Sequence, residues 1–309
     1  LILTFTINPA IDQNVTADRL VFEDRAYIVA TSESAGGRGI NASCVIHSFG
    51  GKTVGIAPCG GESGKRFQKM LCECGFPVEL VRVSSEIRTN LTITDRQGLT
   101  IKLNQPGPAL SASELEALEA AVRKRLPGAE WLMLCGSLPP GVPSSFYSKL
   151  IRIAHDHGAK TLLDTDGEAL LEGVEAGPTV VAPNQQEAER LLNTALITRG
   201  HFLEAAARIH RMGANSVILS LGGRGAVGAN ARHMLEVAPP RIEAVCPIGS
   251  GDALAAAFTW AMSRGSEFAD ALRWGVAAGT ASAMLPGLLF ASLDQTREMY
   301  ERVEISDAR

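Results

Sequence analysis

The sequence predicts an α/β fold built around a mostly parallel sheet, because short apolar, β-branched runs alternate with longer stretches of helical period along most of the chain. Cap and stop residues stand at the ends of several helical stretches. No repeat, low-complexity tract or Pro/Gly/Ser linker long enough to separate two independent domains interrupts this rhythm.

Taken in order, residues 1–7 (Leu-Ile-Leu-Thr-Phe-Thr-Ile) read as the first strand, and 11–31 are strand-like through Val15, Leu20, Val21, Tyr27 and Val29. A helix is expected over 42–49, then a strand over 53–57 and a helix over 62–74. Residues 91–103 alternate apolar and polar on both sides of a turn at 95–98, the pattern of an antiparallel hairpin. Its Leu91, Ile93, Leu99, Ile101 and Leu103 form one apolar stripe, which fits an edge hairpin of the main sheet or a separate small flap. Ser111-Ala-Ser-Glu114 is a capping box that opens a helix over 111–126. Strands are expected over 131–134, 161–163, 179–182 and 216–219. The helices between them fall over 144–157, 184–193 and 202–212, with Gly158 and Gly213 placed as stops.

Composition removes several classes of function. With 29 Lys and Arg against 33 Asp and Glu, the formal charge is −4 and no basic block occurs, so nucleic acid is not an expected partner. No apolar run reaches the ~18 residues of a membrane span, so no membrane partner is expected. The start reads as a strand and not as a signal peptide, so the expected location is the cytoplasm. Leu1 stands where an initiating Met would be, so a few residues are expected ahead of it. The six cysteines are scattered, which suggests reduced core thiols; Cys72-x-Cys74 has neither the spacing nor the partner pair of a zinc site.

Four glycine clusters bear on phosphate chemistry. Gly60-Gly-Glu-Ser-Gly64-Lys65-Arg66 fails as a P-loop, since Cys59 replaces the first glycine and Arg66 the magnesium-binding hydroxyl. Gly223-Arg-Gly225-Ala-Val-Gly228 follows a strand, but hairpin-like residues come after it and no helix is opened for a pyrophosphate. Gly37-Arg-Gly39-Ile-Asn-Ala42 does precede a helix, but a polar stretch and not a strand leads into it. The fourth, Pro247-Ile-Gly249-Ser250-Gly251-Asp252, runs straight into an Ala-rich helix, so several backbone N–H groups and the helix dipole face one spot. Asp252 there is either an N-cap or a general base beside a transferred phosphoryl group.

Six motifs occur in order: Asn8-Pro9-Ala10-x-Asp12, Gly36-Gly37-Arg38-Gly39-Ile40-Asn41, Gly136-Ser137-Leu138-Pro139-Pro140-Gly141, Pro183-Asn184-x-x-Glu187, Ser220-Leu221-Gly222-x-x-Gly225 and Gly249-Ser250-Gly251-Asp252. Together they resemble the phosphofructokinase-B-type branch of the ribokinase family of sugar kinases. Among its members they resemble the phosphosugar kinases: 1-phosphofructokinase, tagatose-6-phosphate kinase and the minor 6-phosphofructokinase. The resemblance implies a ribokinase-like three-layer α/β/α sandwich over 1–309, with a small β lid formed by about 11–31 and 88–103. It implies ATP-dependent phosphorylation of fructose 1-phosphate, fructose 6-phosphate or tagatose 6-phosphate to the 1,6-bisphosphate. Alternatives are a kinase of an unphosphorylated sugar or nucleoside, and a non-catalytic sugar-phosphate sensor on the same fold.

By position, the resemblance makes Asp252 the base and gives the amides of Gly249, Ser250 and Gly251 to the phosphoryl group in flight. Asp12 and Asn41 would hold sugar hydroxyls, with Gly37 and Gly39 close by. Arg38, Arg88, Arg25, Lys102 and Ser137 would bind the phosphate already on the sugar; Arg38 stands where the family usually has Lys, and its planar fork suits phosphate oxygens. Glu187 and Asn184 would position Mg²⁺ through water, and would also make a capping pattern. Ser220, Gly222 and Gly225 would line ATP, with Gly279 and Ser282 against the adenine. Ala182 departs from the family's Lys, and Cys246-Pro247 from the Asp-Thr of many members. A homodimer through the lid is the expected assembly.

Overall fold

The computed structural model describes residues 1–21 and 23–308; position 22, inside the expected lid segment 11–31, lies outside the described residues. The chain opens with β1 (Ile2–Thr6), β2 (Ala10–Ala17), β3 (Ile28–Gly36), α1 (Arg38–Ser48), β4 (Thr53–Cys59), α2 (Gly61–Glu73) and β5 (Val78–Arg82). It continues through β6 (Arg88–Asp95), β7 (Thr100–Asn104), α3 (Ala112–Arg125), β8 (Trp131–Cys135), α4 (Phe146–Asp156), β9 (Lys160–Asp164) and α5 (Gly167–Glu175). The last third holds β10 (Val180–Val181), α6 (Gln185–Leu192), α7 (Arg199–Met212), β11 (Ser216–Ser220), β12 (Ala226–Asn230), β13 (Met234–Ala238), α8 (Ser250–Ser263), α9 (Phe268–Ala283), α10 (Leu293–Tyr300) and β14 (Glu304–Asp307).

Ten strands form the main sheet in the order β14-β13-β12-β11-β10-β9-β8-β1-β4-β5. From β11 to β5 every pairing is parallel, and β12, β13 and β14 extend the sheet antiparallel. Alternation along the central strands sorts side chains to two cores. Trp131, Met133 and Cys135 face Val45, Phe258, Val276 and Met299 of α1, α8, α9 and α10. Leu132 and Leu134 face Val122, Ile151, Val174 and Ile209 on the other side. Such double coverage explains why the parallel strands read as continuous apolar runs. The expected three-layer α/β/α sandwich is the architecture observed.

β2, β3, β6 and β7 make a second sheet in the order β3-β2-β6-β7, with β2 and β6 parallel and the two outer pairings antiparallel. Cross-strand pairs Leu91–Leu103 and Ile93–Ile101 put the hairpin's stripe on one face. Ile11 and Ala35 root this sheet on α2 and β4 through Phe67, Leu71 and Ala57.

Several expectations need correcting. The helix expected over 42–49 begins at Arg38, which brings Arg38 and Asn41 into its first turn. β5, α5, α9, α10 and β14 were not expected. α9 was obscured because Gly275 and Gly279 sit where α9 meets α8; a Cβ on Gly279 would lie 2.8 Å from the Ser250 carbonyl oxygen. All six cysteines are free, but only Cys135 is buried, so the reading of core thiols holds for that one. The amides of Glu62 and Ser63 at the head of α2 donate to Glu86, so the rejected P-loop segment holds a carboxylate of its own chain. Among the described residues, no helix is long and apolar enough to cross a membrane.

Candidate active site

The parallel strands β1, β8, β9, β10 and β11 all run toward one edge of the sheet, and the residues at or just after their C-terminal ends are Asn8, Gly136, Asp164, Asn184 and Ser220. Ligands in open α/β sheets bind along that edge. Two adjoining cavities lie there, of about 640 Å³ and about 290 Å³. Arg38, Lys102, Ile248, Gly249 and Asp252 line both and form the wall between them.

Asp252 sits at the third residue of α8. Gly249 is the N-cap, at φ +78° in the left-handed region that glycine adopts without strain, and no side chain caps this helix. Capping therefore does not account for the aspartate. Its Oδ2 instead accepts a hydrogen bond from Asn41 Nδ2 at 2.7 Å, from the first turn of α1. Burial, then the nearby Asp164 charge, push its carboxyl up to about 7, while Asn41 and Arg38 pull it down. A carboxylate near neutrality is suited to accept a hydroxyl proton.

The larger cavity lies between the small sheet and the edge of the main sheet. Asp12 on β2 is opposite Asn90 on β6, and Asn90 Nδ2 donates to Asp12 Oδ1 at 2.8 Å. Gly36 on β3 leaves room for that carboxylate, since a Cβ there would lie 1.9 Å from Asp12 Oδ2. Arg88 donates through Nη1 to the Gln105 carbonyl at 2.7 Å, while its buried Nε has no partner. Neither Arg88 nor Lys102 makes an ion pair among the described residues. Burial lowers the pKa of both cations, so both stand ready for an anion. Buried oxygens of Asn8 and Asn90 also lack partners.

Arg38 departs from its expected role. Its Nη1 is 2.6 Å from Asp164 Oδ1 and its Nη2 is 2.9 Å from Glu187 Oε1, with Asp166 Oδ2 at 3.9 Å. Asp164 foremost, then Glu187 and Asp252, raise its pKa well above the ordinary value, and the fork is engaged by the chain's own carboxylates. Glu187 and Asn184 form a full capping box at the head of α6: Asn184 Oδ1 accepts from Glu187 N–H and Glu187 Oε2 from Asn184 N–H.

The other expected residues divide. Gly37, Arg88, Lys102 and Ser137 line the larger cavity, and Asn184, Glu187, Ser220 and Gly251 the smaller. Gly39 lines neither; it packs under Thr6 and Phe5. Ser250 turns its hydroxyl back to the Pro247 carbonyl at 2.8 Å. Arg25 is exposed in the turn between β2 and β3, which Asp18 and Asp24 fold on themselves, and lines neither cavity. Gly222 is exposed in a 3₁₀ turn, and Gly225 lies under the Val237 carbonyl. Gly279 and Ser282 pack within the helical layer, where Ser282 Oγ accepts from Ala291 N–H at 3.0 Å. Asp164, Asn90 and Asp166 were missed. Asp164 ends an apolar run at the binding edge of the sheet, and that position was the available signal.

The model of the pfkB family carbohydrate kinase matches residues 6–294. An ATP-dependent 6-phosphofructokinase isozyme 2 of Escherichia coli is 32% identical over 302 residues, covering 97% of each chain. A 1-phosphofructokinase of Rhodobacter capsulatus is 31% identical over 274 residues, covering 88% of this chain and 87% of its own. The crystal structure of the Escherichia coli phosphofructokinase-2 in complex with fructose-6-phosphate superposes with a TM-score of 0.90 at 32% identity, covering 97% of this chain and 98% of that one. An Arabidopsis thaliana ribokinase complexed with ribose and ATP shares the fold, with a TM-score of 0.77 at 20% identity over 97% of this chain and 98% of its own.

Proposed function

The chain belongs to the pfkB family of carbohydrate kinases, and from that membership we propose that it transfers the γ-phosphoryl group of ATP to a hydroxyl of a fructose phosphate, or of tagatose 6-phosphate. The observation that carries a phosphorylated acceptor is the pair Arg88, partly buried, and Lys102, exposed on the cavity wall, two cations in the larger cavity without an ion-pair partner among the described residues. An unphosphorylated sugar would leave both charges without an anion to meet.

The sugar phosphate is assigned to the larger cavity and the ATP phosphates to the smaller. Asp12, Asn90 and Asn8 offer acceptors and donors to sugar hydroxyls, Arg88 and Lys102 grip the existing phosphate, and Ser137 lines the same wall. At the shared wall Asp252, held by Asn41, takes the proton of the attacking hydroxyl. The amides at the start of α8 and the fixed charge of Arg38 face the charge that develops on the transferred group. Glu187 and Asn184 fit a hydrated Mg²⁺ ion carried in by ATP: their oxygens already hold bonds within the chain but keep lone pairs for water. When bound, that ion supplies charge neutralisation to the transferred phosphate. The cytoplasm is the location that fits these substrates.

A steady-state panel tests the substrate class, using fructose 6-phosphate, fructose 1-phosphate and tagatose 6-phosphate beside fructose, ribose and adenosine. One phosphorylated ketohexose is expected to exceed every unphosphorylated acceptor in kcat/KM by about 100-fold or more, the worth of a charged hydrogen-bonded contact. An unphosphorylated sugar that matches it sinks the reading, and no ATP consumption with any of them favours a sensor.

We also propose that the small sheet is a lid whose outer face pairs with a second copy. Tyr27, Ile28, Val29, Leu99 and Leu103, on that sheet and its turns, are each half or more exposed. The wild-type protein is expected to be a dimer by light scattering at micromolar concentration, and Ile28→Asp with Leu103→Asp a monomer. A wild-type monomer contradicts this assembly.

A further inference from the structure

α1 and the end of α2 pack on a small core that includes Ile40, Phe67, Leu71 and Phe76. Two cysteines lie against it, Cys44 in the middle of α1 and Cys74 at the C-cap of α2, and both are only partly buried. Their thiols are close enough to share a hydrogen bond. Neighbouring side chains fix this approach: His47, one turn beyond Cys44, lies on Gly75, where a Cβ would be 3.1 Å from its Nε2, and its ring is 6.2 Å from that of Phe76. Cys72, exposed on α2, is two residues from Cys74 and so does not share its face of the helix.

We propose that Cys44 and Cys74 form a modification site, a thiol pair that a hydroperoxide converts to an intramolecular disulfide, with Cys74 as the thiol that reacts first. The hydrogen bond from Cys44 draws the Cys74 thiol down to about 7, against burial and the Glu73 charge, and the thiolate is the nucleophile. The same bond, with burial, pushes the Cys44 thiol up and keeps it protonated. In the first step the Cys74 thiolate attacks one oxygen of the peroxide, the O–O bond breaks, and Cys74 becomes a sulfenic acid. Cys44 then attacks the sulfenic sulfur; the S–S bond forms, the S–O bond breaks, and the hydroxyl leaves as water with the Cys44 proton. The two sulfurs give up two electrons and the peroxide takes them. The new bond would tie α1, whose first turn carries Arg38 and Asn41, to the end of α2.

The test exposes the full chain to hydrogen peroxide at about pH 7 and follows thiol content and linked peptides by mass spectrometry. Wild type is expected to lose two of its six thiols together, with the mass of two hydrogens, and to yield a peptide linked through Cys44 and Cys74. Cys44→Ser keeps a donor but cannot close the bond, so it is expected to stop at a Cys74 sulfenic acid, captured by a cyclic diketone, at close to the wild-type rate. Cys44→Ala also removes the donor and is expected to react at Cys74 about fivefold more slowly, because the thiolate fraction falls further than nucleophilicity rises. Cys74→Ser, which leaves the packing of α1 intact, is expected to give neither link nor adduct. A wild-type protein without the Cys44–Cys74 link, a first adduct on Cys72, or a Cys44→Ala protein as fast as Cys44→Ser overturns the proposal. None of these results bears on the kinase reading, which the substrate panel tests separately.

Discussion

Asp252→Asn is expected to lower kcat by about 10²–10⁴ while leaving sugar-phosphate binding within a few-fold, the range for loss of a positioned general base. That is about 3–5 kcal/mol of barrier. Asn is isosteric and can still meet the Asn41 amide, so the local fold has no reason to rearrange. In wild type the acid limb of kcat/KM is expected near pH 7, because burial and the Asp164 charge hold the Asp252 carboxyl there. The same shift has a stability sign. The carboxyl titrates near its ordinary 3.8 when the chain is unfolded and near 7 when folded. Between these values the folded state keeps a proton that the unfolded state has released, so stability falls as pH rises through the window and stays reduced above it. Asp252→Asn is therefore expected to melt a few degrees higher than wild type at about pH 8, with the difference vanishing toward about pH 4. Near-normal turnover in this variant would remove Asp252 from the chemistry, and a lower melting temperature at alkaline pH would contradict the origin of its shift.

The sequence made the fold legible where one local signal sufficed. β8 and β9 are apolar runs because both faces are covered, and α3 begins at Ala112 because a capping box on Ser111 closes its first turn. α5 begins on a glycine, and α9, though rich in helix-favouring Ala, carries Gly275 and Gly279 in its interior, where packing against α8 and not residue preference explains the glycines. The site divides the same way. Asp252, Asn41, Asp12 and Glu187 lie in the six ordered motifs, and the fold brings all four to the walls of the two adjoining cavities. Gly39, Gly225 and Gly279 lie in or beside similar motifs but serve close packing, and a glycine's sequence context does not tell the two uses apart. Arg38 was legible as a functional cation, but its partners, 126 and 149 residues away, were not. Without Asp164 and Glu187 in view, a phosphate on the sugar was the natural partner for its fork.

Arg88→Met is expected to raise KM for the phosphorylated sugar by about 10²-fold, with KM for ATP within about twofold of wild type. Arg88 opens β6, the strand next to the one that carries Asp12, so its side chain belongs to the sugar cavity and not to the nucleotide cavity. One Nη is held by the Gln105 carbonyl, which fixes the fork, and the buried Nε has nothing to bond until an anion arrives. The group therefore pays for its desolvation in the empty protein and recovers it only with a phosphate bound. Met keeps much of the stem's volume and removes both the charge and the fork. Arg88→Lys restores charge without the paired donors and is expected to fall between wild type and Met. Discrimination is the sharper readout: the ratio of kcat/KM for the sugar phosphate over the free sugar is expected to collapse in Arg88→Met, because the variant loses the phosphate's partner and not the hydroxyls' partners. Unchanged discrimination would move the phosphate site to Lys102 alone, and a rise in KM for ATP in place of the sugar would reverse the assignment of the two cavities.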